Sequence, residues 1–235
     1  MPVLRILLLL FCTLVPGFIV FGGNARFQAY IKPLLSLSGS FLLALSFCHL
    51  LPDAYQKLGV SAGLFVLIGF FMQVALEHLT KGVEHGHFHS HQHFSKLFPV
   101  LAISGLTLHS VVESLPMLGH QHNENSQYLL GILLHKAPIA LTLAAILLSA
   151  PLSKTARWAW FLMFALSAPL TLVLGSVIPN ISLDEVLITQ FAAVAVGIFL
   201  HVATTILFEQ EDGHRLNLGK FAAIISGLII FYFSL

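Results

Sequence analysis

His109 and Glu113 stand four residues apart, and His135 follows in the next apolar run beside Lys136. Positions i and i+4 share one helix face. An imidazole and a carboxylate placed so form half of a site for a borderline cation such as Zn²⁺, which takes nitrogen and carboxylate oxygen together. His135 on the neighbouring run can supply a third ligand. A Lys at the centre of a bilayer costs about 2.5–3.5 kcal/mol on the insertion scale, so ionisable groups at that depth face the bundle interior or water. Here two imidazoles, a carboxylate and an ammonium fall on two adjacent apolar runs. The plainer alternative is a structural ion pair of Glu113 with Lys136, the histidines only satisfying hydrogen bonds. Pro116 and Pro138 follow the two polar clusters. A proline inside a helix loses the bond to the carbonyl four residues back. The Val112 and Leu134 carbonyls are therefore expected to be free beside the ligands, as in the broken helices of transporter ion sites.

Spans must hold these residues at depth. The chain has 235 residues, 57% hydrophobic and 9% charged, where a soluble globular domain carries about 25% charged. It reads as one all-α polytopic membrane domain over residues 1–235, with no segment left for a soluble domain. With about 20 apolar residues per span, eight are expected: 3–22, 34–54, 60–79, 97–118, 127–149, 157–179, 184–208 and 218–235. The first is kept as a span, because it is longer than a signal-peptide core and no clear cleavage site follows. Arg26, Lys32, Lys81, Lys96, Lys154, Arg157, Arg215 and Lys220 fall in loops on one side, with only Arg5 and Lys57 opposite. The basic side is cytoplasmic, and both termini lie outside. A net charge of +1 leaves no footprint for nucleic acid. Cys12 and Cys48 both sit in apolar runs and form neither a disulfide framework nor a CxxC site.

Thirteen histidines outnumber the eleven Lys plus Arg. Five of them, His85, His87, His89, His91 and His93, alternate along the expected cytoplasmic loop 80–96. Such tracts bind transition metals loosely, although a solvated linker has the same composition. His49 and Asp53 repeat the i,i+4 spacing at the outer end of the second span, where they serve either as an entrance for a cation or as plain headgroup-level polar groups. The acidic run Glu209, Glu211, Asp212 reads first as a solvated loop.

These residues resemble the ZIP family of divalent-metal transporters. The fourth-span signature His-(Asn/Ser)-x-x-Glu-Gly is similar to His109-Ser110-Val111-Val112-Glu113-Ser114, and the fifth-span His-(Glu/Lys)-x-Pro to His135-Lys136-Ala137-Pro138. His49-Leu50-Leu51-Pro52-Asp53 resembles the second-span His-x-Leu-Pro-(Asp/Glu), and Gly197-Ile198-Phe199-Leu200-His201 a seventh-span motif whose last position is usually aromatic. The resemblance implies two inverted three-helix repeats around spans four and five. It also implies transport of Zn²⁺ toward the cytosol, with Fe²⁺, Mn²⁺ or another divalent ion left open, and binding of that ion by His109, Glu113 and His135. Ile139 stands where many members have a further ligand. Lys136 stands where two-metal members have a carboxylate, Ser110 replaces their Asn, and Ala168-Pro169 replaces Glu-Pro. One metal is therefore expected, tuned by Ser110 and Lys136, with the ammonium standing where a second cation would sit. No bound cofactor and no enzymatic activity are expected. The partners are the transported ion and the bilayer, the plasma membrane or a bacterial inner membrane, and a homodimer is left open. Two other classes compete: an intramembrane zinc hydrolase, which needs a general base besides three ligands, and a metal-binding membrane protein that moves nothing.

Overall fold

The computed structural model describes residues 2–23, 25–83, 98–119, 125–177, 184–208 and 218–235. The histidines of the 85–93 tract lie outside them, as do Lys96, Glu209, Glu211, Asp212 and Arg215. The described residues are helical with short turns. In chain order they form α1 (Pro2–Phe21), α2 (Gln28–Leu45), α3 (Leu51–Leu58), α4 (Ser61–Thr80), α5 (Phe98–Ser114), α6 (Asn125–Ser149), α7 (Lys154–Val177), α8 (Glu185–Phe208) and α9 (Leu218–Ser234). Among the described residues, seven spans are long and apolar enough to cross a membrane, with α2 and α3 counted as one rod over Ala29–Leu58. α9 is apolar but shorter, at 17 residues, the lower end of what a bilayer needs.

The second span is therefore longer than the expected 34–54. Its halves are joined by a π-helical turn, Ser46–Leu50, where the Leu51 N–H donates to the Ser46 carbonyl. Pro52 explains that turn. Its ring crowds the carbonyl four residues back and it has no N–H to give, and a wider turn relieves both without ending the helix. His49 sits in this turn.

The prolines beside the polar clusters behave differently from the expectation of two broken helices. α5 ends at Ser114, and Pro116 lies in a 3₁₀ turn, Leu115–Leu118, that continues it. At this junction Pro116 withholds the N–H that a continuing α-helix would give to the Val112 carbonyl, and the helix tightens to a 3₁₀ turn there. Pro138 lies inside α6, which runs unbroken through it. Beside the cluster, the Glu113 carbonyl accepts from the Tyr128 hydroxyl at 2.8 Å.

α6 is apolar on all sides except at its polar cluster, and a helix of that kind belongs in the interior. It packs on α1, α2 and α7. Towards its start, Tyr128 and Ile132 join a core with Phe41, Leu42, Phe199 and Val202. Further on, Ile139 and Leu143 join a second core with Ile103, Leu106, Phe161 and Phe164. His135 and Lys136 fall between the two. α4 and α8 approach backbone to backbone. A Cβ on Gly69 would run into the Val194 carbonyl, and one on Gly197 into that of Val66. Small residues are what such close crossings in membranes require.

Candidate metal centre

α5 and α6 bring His109, Glu113 and His135 together. Each offers one ligand atom, and the three atoms lie within 4.8 Å of one another. His109 and His135 are 2% and 0% exposed, and Glu113 is 0% exposed. His109 Nε2 is 2.8 Å from Glu113 Oε1, and His135 Nε2 is 3.6 Å from that same oxygen. The two rings are tilted at 59° to one another, with centroids 5.8 Å apart. The helix turn of the i,i+4 spacing sets the first distance, and the packing of α6 sets the second.

Gln73 on α4 fixes the His109 ring. Its Oε1 lies 2.8 Å from His109 Nδ1. An amide oxygen accepts, so Nδ1 carries the proton and Nε2 presents its lone pair to Glu113. The amide orientation is assigned from this bond. A lone pair and a carboxylate oxygen at 2.8 Å repel unless a proton or a cation lies between them. Neither His109 Nε2 nor either Glu113 oxygen has a well-aligned hydrogen-bond partner, despite the short approach. An orienting partner on the second nitrogen is the usual support of a metal-binding imidazole. The donor set thus suits a borderline divalent cation.

The other carboxylate oxygen has a different neighbour. Lys136 Nζ is 3.7 Å from Glu113 Oε2 and donates to Ser110 Oγ at 2.7 Å. It also lies 5.5 Å from the centre of the Phe164 ring. Ser110 and Ser167 are 2.5 Å apart, and Ser167 Oγ donates to the Phe164 carbonyl at 2.7 Å. The protons run one way along this chain, from ammonium to Ser110, to Ser167, to the backbone. Lys136 is 2% exposed and Ser110 is fully buried. Glu113 therefore bridges two regions, the imidazole pair at Oε1 and the ammonium at Oε2.

The remaining sequence candidates lie apart from this cluster. Ile139 is buried in the apolar core of α6. Asp53 turns to Lys57, at 3.1 Å, and Lys57 also reaches Glu185 at 3.4 Å. His49 is half-buried one turn deeper. His201 on α8 pairs with Glu77 on α4 at 2.5 Å. Sequence reasoning missed Gln73, Ser167 and Tyr128. Only depth marked Gln73, an amide in the middle of an apolar run.

Residues 87–234 match the family model described as ZIP Zinc transporter. The match takes in His109, Glu113, His135, Lys136 and His201, and leaves out His49, Asp53, Gln73 and Glu77. No curated protein and no solved structure matches the chain. Divalent metal ions as transported substrates and a multi-pass membrane architecture come with this family. With more than half of its 235 residues matched, the chain belongs to the ZIP zinc transporter family.

Proposed function

We propose that the chain carries Zn²⁺ toward the cytosol through a single intramembrane site formed by His109, Glu113 and His135. The observation that carries this reading is the convergence of three buried ligand atoms on one point. Two imidazoles and one carboxylate form a donor set that Zn²⁺ accepts in sites with an exchangeable fourth position. The set also takes Fe²⁺ or Mn²⁺, since geometry and supply rather than affinity order decide among such ions. The second-site positions support one ion rather than two. Ile139 is packed in apolar core, and the Lys136 ammonium stands over the second Glu113 oxygen.

This arrangement changes what Lys136 must do. A cation entering between His109, His135 and Oε1 leaves the ammonium on Oε2 in place. Lys136 then acts as a fixed counter-charge that weakens the carboxylate's hold on the ion and helps release. Around the site, we take α2–α3 as one span and α9 as another, which makes eight spans in two inverted three-helix repeats around α5 and α6. The 85–93 histidines belong to a cytoplasmic loop that adjusts transport rather than carrying it.

Uptake of Zn²⁺, Fe²⁺ and Mn²⁺ into proteoliposomes, with pH set on each side, tests the reading. Wild type is expected to take up Zn²⁺ best, and His109→Ala and Glu113→Ala to lose uptake while remaining in the membrane. Wild-type flux in both variants would place the pathway elsewhere.

A further inference from the structure

Tyr128 is among the largest fully buried side chains of the described residues, and its hydroxyl donates to the Glu113 carbonyl at 2.8 Å. The bond fills a gap that the sequence creates. α5 ends at Ser114, and the 3₁₀ turn Leu115–Leu118 follows. Such a turn pairs each carbonyl with the N–H three residues on, as the Gly119 N–H does with the Pro116 carbonyl at 3.4 Å. For Glu113 that third residue is Pro116, which has no N–H. A buried carbonyl needs a donor, and the phenol of α6 supplies one. The ring that carries this hydroxyl is itself held in place. It lies 5.8 Å from the Phe199 ring of α8 and shares a core with Phe41, Ile132 and Met117. Its chain neighbour Gln127 donates to the Ser234 carbonyl of α9 at 2.8 Å. Tyr128 and His135 are seven residues apart, two turns and about 10.5 Å along one face of α6. One helix therefore presents both a candidate ligand, with His135 Nε2 3.6 Å from Glu113 Oε1, and a donor to the Glu113 backbone.

We infer that Tyr128 is a positioning residue of the metal centre: its hydroxyl takes the place of the N–H that Pro116 lacks, and so fixes the Glu113 backbone, and with it the carboxylate, against His135. The inference rests on the reading of His109, Glu113 and His135 as the metal ligands. Removal of the hydroxyl leaves the carbonyl to find another donor, and rotation of that peptide swings the Glu113 side chain. His109 is on the same helix and follows part of the motion. His135 is on the other helix and does not. The distance that spans the two helices therefore changes most. The competing role is structural only: a buried phenol needs an acceptor, takes this carbonyl, and leaves the metal centre indifferent to it. Pro116 separates the two roles, because Pro116→Ala returns an N–H three residues beyond Glu113.

The test uses the full chain, purified, with the 85–93 histidines replaced by Ser so that only the membrane site is titrated. Tyr128→Phe is expected to weaken Zn²⁺ binding about tenfold, the scale of losing an outer support of a metal ligand. It should also change the visible absorption of Co²⁺ bound in place of Zn²⁺, which follows the geometry of the ligands. Tyr128→Phe/Pro116→Ala is expected to recover the wild-type affinity and spectrum. Ile132→Val trims the same core without touching the bond, so it should lower the unfolding temperature and leave both readings unchanged. Wild-type affinity in Tyr128→Phe, a loss that Pro116→Ala does not repair, or an equal loss in Ile132→Val overturns the positioning role. Glu113→Ala in the same titration tests the reading beneath it. Binding that survives Glu113→Ala means that the ion sits elsewhere, and the role of Tyr128 falls with that site. Binding that needs Glu113 but ignores the Tyr128 hydroxyl overturns the positioning role alone.

Discussion

Two lysines in this chain each tie their own helix to a neighbouring one, Lys57 joining α3 to α8 and Lys136 joining α6 to α5, and the comparison shows what burial does to the same chemistry. Lys57, near the end of α3, reaches Asp53 at 3.1 Å and Glu185 at 3.4 Å, with side chains 31%, 39% and 60% exposed. Lys136 in α6 reaches Ser110 and Glu113 with almost nothing exposed. Water screens the first set, and exposed pairs of that kind are worth about 0–1 kcal/mol. The second set has lost its water, and each charge there depends on its partners. The outer pairs are replaceable, whereas the inner ones constrain everything near them. The central hydrogen bonds are accordingly continuous, from ammonium through Ser110 and Ser167 to the Phe164 carbonyl. Gln73 supplies the corresponding support on the imidazole side.

The largest effect that sharpens this contrast is expected at Gln73. Gln73→Leu keeps the volume and removes the acceptor from His109 Nδ1. The ring is then free to turn, and the proton is free to move to Nε2, where it blocks the ligand position. Zn²⁺ affinity should fall about 10–100-fold, as for other orienting partners of metal ligands. Isothermal titration of purified protein measures it. An unchanged affinity would mean that α5 packing alone orients the imidazole.

His109, Glu113 and His135 were legible because helical spacing and membrane depth are both properties of local sequence. Gln73 and Ser167 were not. Their partners lie 36 and 57 residues away, and a neutral polar residue carries no periodic signal of its own. The helix type at a proline depends on packing that sequence does not contain. Sequence places Pro116 inside an apolar run, but only the structure shows α5 ending two residues earlier. At Asp53 the i,i+4 spacing to His49 left an entrance site and a plain polar group both open, and the ion pair with Lys57, four residues on in the opposite direction, is a partner that reading did not consider. The π turn at Ser46–Leu50 is a response to Pro52 that spacing rules do not contain. Of the eight expected spans, the seven long ones followed from apolar length. The short α9 meets that criterion only at its limit.

A smaller effect is expected at Lys136. Lys136→Ala removes the positive charge beside Oε2 and leaves Oε1 and both imidazoles in place. The ion should bind several-fold more tightly and leave more slowly, so the maximal uptake rate falls while less Zn²⁺ is needed for half-saturation. Titration together with uptake reads both quantities, with the 85–93 histidines replaced by Ser so that their binding is not counted. Weaker binding would show that Lys136 holds the site together rather than opposing the ion. Two ions bound within the membrane region of wild type would remove the case for the ammonium as a substitute cation.

The smallest effect is expected at Lys57, and it tests the other side of the comparison. Lys57→Ala breaks both outer pairs at once. Because the groups are solvated, stability should change by no more than about 1 kcal/mol, read as thermal unfolding of the purified protein. Asp53 and Glu185 then lose their neutralising charge, and the local potential where the end of α3 meets the start of α8 becomes more negative. Such a field raises the local concentration of cations and acts at a range that salt shortens. If Asp53 and His49 lie on the entry path, half-saturation for Zn²⁺ should fall about twofold at low ionic strength, and the difference should vanish near 1 M salt, where the Debye length is about 3 Å. The maximal rate should stay at the wild-type value, since the central cluster is untouched. An unchanged half-saturation at low salt would take Asp53 off the entry path. A collapse of the maximal rate would show that Lys57 belongs to the transport cycle in the way Lys136 does, and depth would then not be what separates the two lysines.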